Sequence, residues 1–302
     1  MEIIVKIFVF CIVLFLYIHI YFHLKTSDDL EVYEIEQPSK EKLEEICDIK
    51  QPVVFNFNNS NIDEMCVKDK INLNYNAFDV KVRNVKSSDK DIANSEMYMP
   101  LTFAACLELL KNDTDEKYIT ENNNDFLEES ALIKIFRHND EFLRPAMVST
   151  CIYDYMMGSS NTKTPLRYDV NYRNYYYVTE GSITVKITPS KNYKYLSAIT
   201  DYDNCEVRSL VDPWDSGAMA NHGKVNFLEM TVKKGDVLFI PAYWWYSIKF
   251  NEGSSVCVFK YRTYMNTIAI SPYLALCTLQ RHNVKREIVK KAEINSTKQH
   301  EE

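Results

Sequence analysis

The sequence predicts a mainly β domain, a sandwich or barrel with flanking helices, set behind an apolar N-terminal helix. Three observations carry that prediction. From Val148 onward, short apolar runs recur between Gly, Asn, Asp and Pro: VSTCIYDYMMG, LRYDVNYRNYYYVTEG, SITVKITPS, KVNFLEMTV, DVLFIPAYWWYSIKF and SSVCVFKYRTY. Strand-length runs at regular spacing with turn residues between them are the pattern of a sandwich or barrel. The composition agrees, because 21 Tyr against only 6 Gly favours pleated strands over flexible linkers. The third observation is that residues 1–24 are a different material from the rest.

Ile7–Phe22 reads IFVFCIVLFLYIHIYF and carries no formal charge. Extended to Ile3–Leu24, with Lys6 near one end, it has the length a bilayer requires, about 20 residues. Lys6 can snorkel to the headgroups, and Tyr17, Tyr21 and Phe22 suit the opposite interface. A cleavable signal peptide would need a shorter apolar core and a small-residue cleavage site, and YIHIYFHLKTSDD offers neither. The expectation is a single-pass N-terminal membrane anchor. One lysine flanks each end (Lys6, Lys25), so charge asymmetry leaves the side of the soluble domain undetermined.

Beyond the anchor the reading gives residues 25–50 as a charged stalk with a first helix, Ser39–Cys47. Residues 51–267 form the barrel with its lead-in. In that lead-in Pro52–Phe57 and Ala77–Val85 read as strands. Leu101–Asp113 reads as a helix stopped by Asn112 and Asp113, and a polar segment, TDEKYITENNNDF, follows. Residues 268–302 are a C-terminal helix, Ser271–Lys291, started by Ser271 and Pro272, and a polar tail.

Several chemistries find no support. A net charge of -7 makes nucleic acid an unexpected partner, since phosphate binding wants a basic face. Cys47, Cys66, Cys106, Cys151, Cys205, Cys257 and Cys277 are scattered without a CxxC pair, so neither a zinc site nor a disulfide framework is indicated. Three sequons (Asn58, Asn112, Asn295) matter only in a lumenal domain. The chain has no Gly-rich phosphate loop and no GxSxG elbow.

Two segments carry a family resemblance: TPLRYDVNYRNYYYVTEGSITVKITPS (Thr164–Ser190) and KKGDVLFIPAYWWYSIKF (Lys233–Phe250). Together they resemble the cupin-like branch of the JmjC-type 2-oxoglutarate- and Fe(II)-dependent oxygenases, the asparaginyl hydroxylase-like branch in particular. That family reads T-P-x-H-x-D…N…G-x-K…P and then G-D-x-x-x-I-P-x-x-W-W-H. The likeness runs from about Pro38 to Tyr264. It implies a double-stranded β-helix, a jelly-roll or cupin barrel whose mouth holds iron on two His and one carboxylate.

This chain departs from the pattern where the chemistry lies. Arg167 stands at the first histidine, Asp169 remains, and Tyr246 stands at the second histidine. The 2-oxoglutarate-anchoring lysine maps onto Ile183, while Thr164 survives at a position that helps hold the cosubstrate in relatives. Arg167 cannot be a ligand, because its guanidinium stays protonated. His138, His222 and His282 fall outside the matched strands and read as surface or packing residues. The expectation is that both nitrogen ligands are lost, that no metal is held, and that no cofactor is needed.

Two arrangements of the altered mouth are open. Arg167 and Asp169 project to one side and can form a bidentate pair, with Lys260 and Arg262 reaching solvent. Alternatively Arg167, Lys260 and Arg262 surround Asp169 as a cationic pocket for a small carboxylate or phosphate. NYRNYYY (Asn171–Tyr177) can line the mouth on alternate residues, and Trp244 and Trp245 should point to opposite faces of one strand.

The function expected is a membrane-anchored, catalytically inactive cupin-like protein that binds or scaffolds. Two alternatives stand beside it. One is an active 2-oxoglutarate-dependent protein hydroxylase with unusual ligands, requiring Fe(II) and 2-oxoglutarate. The other is a metal-independent, small-ligand-binding cupin using Asp169 and Tyr246 as base and acid. The C-terminal helix, with Pro272, Leu274, Leu276, Leu279 and Val284 along one side, implies a homodimer by analogy with the family.

Overall fold

The computed structural model describes residues 2–86, 98–202, 205–215 and 225–283. α1 (Glu2–Leu24) is continuous through the apolar run, and none of its most apolar eighteen-residue window is buried. The next segment does not stand off as a stalk. β1 (Tyr33–Ile35) lies parallel to β2 (Val53–Asn56) and extends the edge of a sheet. Between them runs α2 (Lys40–Asp48), capped by the Ser39 hydroxyl accepting from the Lys42 N–H. Its Leu43, Ile46 and Cys47 are buried, as the 3–4 spacing of an amphipathic helix requires.

α3 (Ser60–Met65) and α4 (Lys68–Tyr75) lead into β3 (Asp79–Asn84), which pairs antiparallel with both β4 (Met99–Thr102) and β5 (Tyr118–Thr120). The helix expected from Leu101 starts two residues later, as α5 (Phe103–Asn112). Thr102 caps it by accepting from the Ala105 N–H, and Leu101 is drawn into β4 instead. The polar segment is also structured. Tyr118–Thr120 zips onto β3, and α6 (Asn124–Glu129) and α7 (Ile133–Asn139) follow. Pairing in the sheet overrides the weak local preference of that segment.

The β-rich half contributes β6 (Val148–Gly158), β7 (Arg167–Tyr168), β8 (Arg173–Glu180), β9 (Ser182–Thr188) and β10 (Ala198–Asp201). It continues with β11 (Glu206–Ser209), β12 (Leu228–Lys233), β13 (Asp236–Pro241), β14 (Trp245–Phe250) and β15 (Ser255–Thr263). Two short helices close the described chain, α8 (Tyr264–Ala269) and α9 (Ser271–Asn283). A large sheet runs β1-β2-β13-β8-β15-β6-β5-β3-β4, and a small one runs β10-β11-β7-β14-β9-β12.

Alternation sorts the side chains. Tyr176 and Val178 on β8, Leu238 and Ile240 on β13, and Val256 and Val258 on β15 meet Ile183, Val185 and Ile187 on β9 and Tyr246, Ile248 and Phe250 on β14. These residues fill the barrel between the sheets. Their neighbours Tyr175, Tyr177, Phe239, Cys257, Phe259 and Tyr261 turn the other way and pack with Leu43, Ile62, Phe103 and Phe136 of the helices. The central strands of the large sheet are therefore buried on both faces, which is why they read as unbroken apolar runs. At Gly158 a Cβ would lie 2.5 Å from the Phe250 ring, so the close approach of β6 to β14 depends on that glycine.

The C-terminal helix differs from the expected stripe. Cys277 is buried and Leu274 partly so, while Leu276 and Leu279 are exposed. Val284 and the rest of the expected helix lie outside the described residues.

Candidate functional site

Arg167 opens β7 and Tyr246 is the second residue of β14, and the two are direct register partners. Asp169 follows Arg167 by two positions. Lys260 on β15 and Tyr176 on β8 come from the facing large sheet. Val256, Val258 and Lys260 share one side of β15 by the two-residue period of a strand, so the strand is apolar deep in the barrel and cationic at its mouth.

Asp169 is the hub of one cluster. Its Oδ1 accepts from Lys260 Nζ at 2.9 Å. Its Oδ2 accepts from the Tyr246 hydroxyl at 2.8 Å and from the Tyr176 hydroxyl at 3.1 Å. The two phenol oxygens lie 2.7 Å apart. The expected Arg167–Asp169 pair is not formed. Arg167 Nη2 instead donates to Glu121 Oε2 at 2.6 Å, and Nη1 to Glu206 Oε1 at 3.3 Å.

Those two glutamates also hold Arg83. Its Nη1 donates to Glu121 Oε1 at 3.0 Å and to Glu206 at 3.1 and 3.2 Å. Tyr98 adds a hydroxyl donor to Glu121 Oε1 at 3.2 Å. Arg83 on β3 and Glu121 just past β5 belong to the large sheet, whereas Arg167 and Glu206 belong to the small one. The ion pairs therefore clamp the sheets together across the mouth. The Nε groups of Arg83 and Arg167 are buried with no acceptor among the described residues.

Arg83, Arg167 and Lys260 are ion-paired with Glu121, Glu206 and Asp169. Burial pushes the Glu121 carboxyl up, but Arg167 and Arg83 outweigh it and hold it well below the usual carboxylate range. Burial likewise opposes ionisation of Asp169, and Lys260 and Arg167 overcome it and lower its pKa. Tyr246 is pushed up to about 12 by burial and by Asp169. Glu121 and Asp169 are thus ionised at neutral pH, and the Tyr246 phenol keeps its proton.

The other expected residues sit apart from this network. Arg262 donates through Nε to Asn171 Oδ1 at 2.6 Å and interacts with Asp169 through charge, whereas Lys260 bonds Asp169 directly. Thr164 is buried and stitches the loop before β7 to β14, accepting the Ile248 N–H at 2.9 Å. Ile183 pairs with Phe250, whereas Tyr246 pairs with Ile187. Ile183 thus lies four residues from the mouth along β9, about 13 Å, inside the apolar core. In NYRNYYY only Tyr176 reaches the cluster, with Asn174 buried at its strand's mouth end. Arg173 turns to Asp48 at 2.6 Å.

Trp244 packs inside the barrel with Tyr246 and Ile248. Trp245 packs outside, edge-on to Tyr168 at 4.8 Å. Among the histidines, His138 is exposed on α7, and His222 and the His282 side chain lie outside the described residues. Among the described residues no group of three or more His, Cys, Asp or Glu is placed to hold a metal ion. Sequence reasoning missed Arg83, Glu121 and Glu206. None carries a local signal, because each partner lies 38 to 123 residues away.

A two-sheet β-helix barrel with its polar cluster at one mouth is the architecture of a cupin. The chain matches the cupin-like domain family over residues 29–263 and belongs to that family. No curated protein matches it.

Proposed function

We propose that this is a membrane-anchored cupin-like protein in which internal ion pairs occupy the mouth, so that it binds or scaffolds rather than oxidises a substrate. On this reading α1 is the anchor, and the chain is a degenerate relative of the JmjC-type, asparaginyl hydroxylase-like oxygenases. The observation that carries it is the ion-pair network of Arg83, Arg167 and Lys260 with Glu121, Glu206 and Asp169.

An Fe(II) facial triad needs two imidazoles and a free carboxylate, with open positions for 2-oxoglutarate and oxygen. The residues at those positions do not fit that group. Arg167 brings a fixed positive charge, Tyr246 a protonated phenol, and Asp169 is already bonded to Lys260 and two phenols. Nor do they suit a metal-free acid–base pair. Such catalysis wants pKa values near the working pH, and here Asp169 is held down while Tyr246 is held up.

The test is metal analysis of the purified full-length chain, together with a 2-oxoglutarate turnover assay supplied with Fe(II). The expected result is substoichiometric iron and no succinate. Stoichiometric iron with succinate release would overturn the reading in favour of an active oxygenase.

A further inference from the structure

α1 does not leave the domain freely. Lys50 Nζ donates to the carbonyls of Phe22 and Lys25 at the helix end, and lies 4.0 Å from the Phe22 ring centroid. His23 is buried edge-on against Tyr172 at 5.0 Å. α1 also packs along α8. Between helix and domain runs a groove of about 620 Å³, lined on the α1 side by Phe15, Ile18 and Phe22 and on the domain side by Met147, Tyr264 and Met265. Its polar end, with Asp48 and Arg173, lies beside His23.

Length then decides where that groove must be. The 23 residues of α1 rise about 35 Å, against a hydrocarbon core of about 30 Å. Only about 5 Å is spare. Phe15 lies nine residues before Leu24, about 14 Å along the axis. If α1 crosses a bilayer, Phe15 and the groove beside it are below the surface of the hydrocarbon. α8 and Met147, which flank that stretch, cannot then stand in bulk water.

The surface of the domain matches that position. Met147 is 74% exposed, Tyr264 58% and Ile268 45%. Tyr264 and Ile268 are one turn apart on one face of α8, and the Tyr264 N–H donates to the Met147 carbonyl at 3.1 Å. A tyrosine among aliphatic side chains suits the headgroup boundary.

We infer that the face formed by Met147, Tyr264 and Ile268 is seated in the bilayer that α1 crosses, with membrane lipid filling the groove between α1 and α8. This rests on the reading of α1 as an anchor. The domain is thereby held flush on the membrane at a fixed orientation, not tethered at a distance.

The test places a benzophenone photocrosslinking amino acid at one of three positions of the full-length chain, reconstituted into phosphatidylcholine vesicles. Position 268 lies in the proposed seat and position 9 in the apolar N-terminal half of α1. Position 73 on α4 is the control. Leu73 is 80% exposed, and α4 starts with Lys68 bonded to Glu180 and Gly253, at the opposite end of β15 from α8. Matching thermal melts of the three reconstituted full-length variants and the parent verify folding. Irradiation should give phospholipid adducts at 9 and 268 and none at 73. Adducts at 9 alone would leave the anchor standing and overturn the seat. Adducts to a second copy of the chain at 268 would overturn it too, by naming a different occupant. No adduct at 9 would remove the anchor and the seat together, and equal adducts at 73 would show no specific seat.

Discussion

Arg167 donates to Glu121 at 2.6 Å across the barrel mouth, joining a residue of the small sheet to one that follows a strand of the large sheet. Glu121 is buried and the Arg167 side chain is 11% exposed, and Glu121 also serves Arg83 and Tyr98. The position at which family resemblance calls for an imidazole thus holds the centre of an inter-sheet clamp.

Removing the charge of Glu121 should therefore be costly. Glu121→Gln leaves Arg83 and Arg167 buried with half their counter-charge. Breaking a buried pair from one side costs about 3–5 kcal/mol. Urea unfolding of the variant should show a loss in that range, and a loss below about 1 kcal/mol would mean the clamp carries little stability.

Acid should act on the same groups. The folded pKa values of Glu121 and Asp169 are depressed, against unfolded values near 4. Their contribution is complete above that value and is lost as pH falls through the folded pKa. Thermal melts should hold steady from pH 7 to about pH 5 and drop below about pH 4. Glu121→Gln should shallow that acid limb, and an unchanged limb would place the acid sensitivity elsewhere.

Tyr246→Phe keeps the ring against Ile248 and Trp244 but deletes the hydroxyl bonded to Asp169 and Tyr176. Losing a hydrogen bond to a charged group should cost about 1.5–3 kcal/mol. Chemical denaturation measures this directly, and a neutral variant would mean that Tyr176 and Lys260 suffice for Asp169.

Restoring the imidazoles should not by itself restore a metal site. Arg167→His with Tyr246→His leaves Glu121 and Glu206 short of a cation and Asp169 still paired to Lys260. The double variant should melt lower and hold substoichiometric Fe(II). Adding Lys260→Leu frees Asp169 and should raise retained iron. Full iron occupancy in the double variant alone would show that Lys260 is no obstacle.

Gly181 turns β8 into β9 at φ +64°, and a Cβ there would lie 3.0 Å from the Ser254 Cα. Gly181→Ala should cost more than about 1 kcal/mol. A thermal melt unchanged from the parent would contradict the steric argument.

Much of the barrel was legible locally. DVLFIP and SSVCVFKYRTY read as strands because both their faces are buried, and Ser39 announces its helix by capping it. The stalk was misread because Tyr33–Ile35 becomes a strand only when β2 is there to receive it. The polar segment carried no reading for the same reason, since Tyr118–Thr120 is held by β3 and β6.

The sequence by itself determined that α1 is long and apolar enough to cross a membrane and that the domain is a sandwich or barrel, and its resemblance to the cupin-like oxygenases implied that Arg167, Asp169 and Tyr246 share one mouth. Hydrophobic periodicity and motif spacing are properties of neighbouring residues, so they survive without coordinates. Only the tertiary structure decided where Arg167 turns. Arg83 and Glu206 lie 123 residues apart in the chain and 3.1 Å apart in the fold. A buried charge must take whichever counter-charge the packing brings within reach, and no local pattern records that choice.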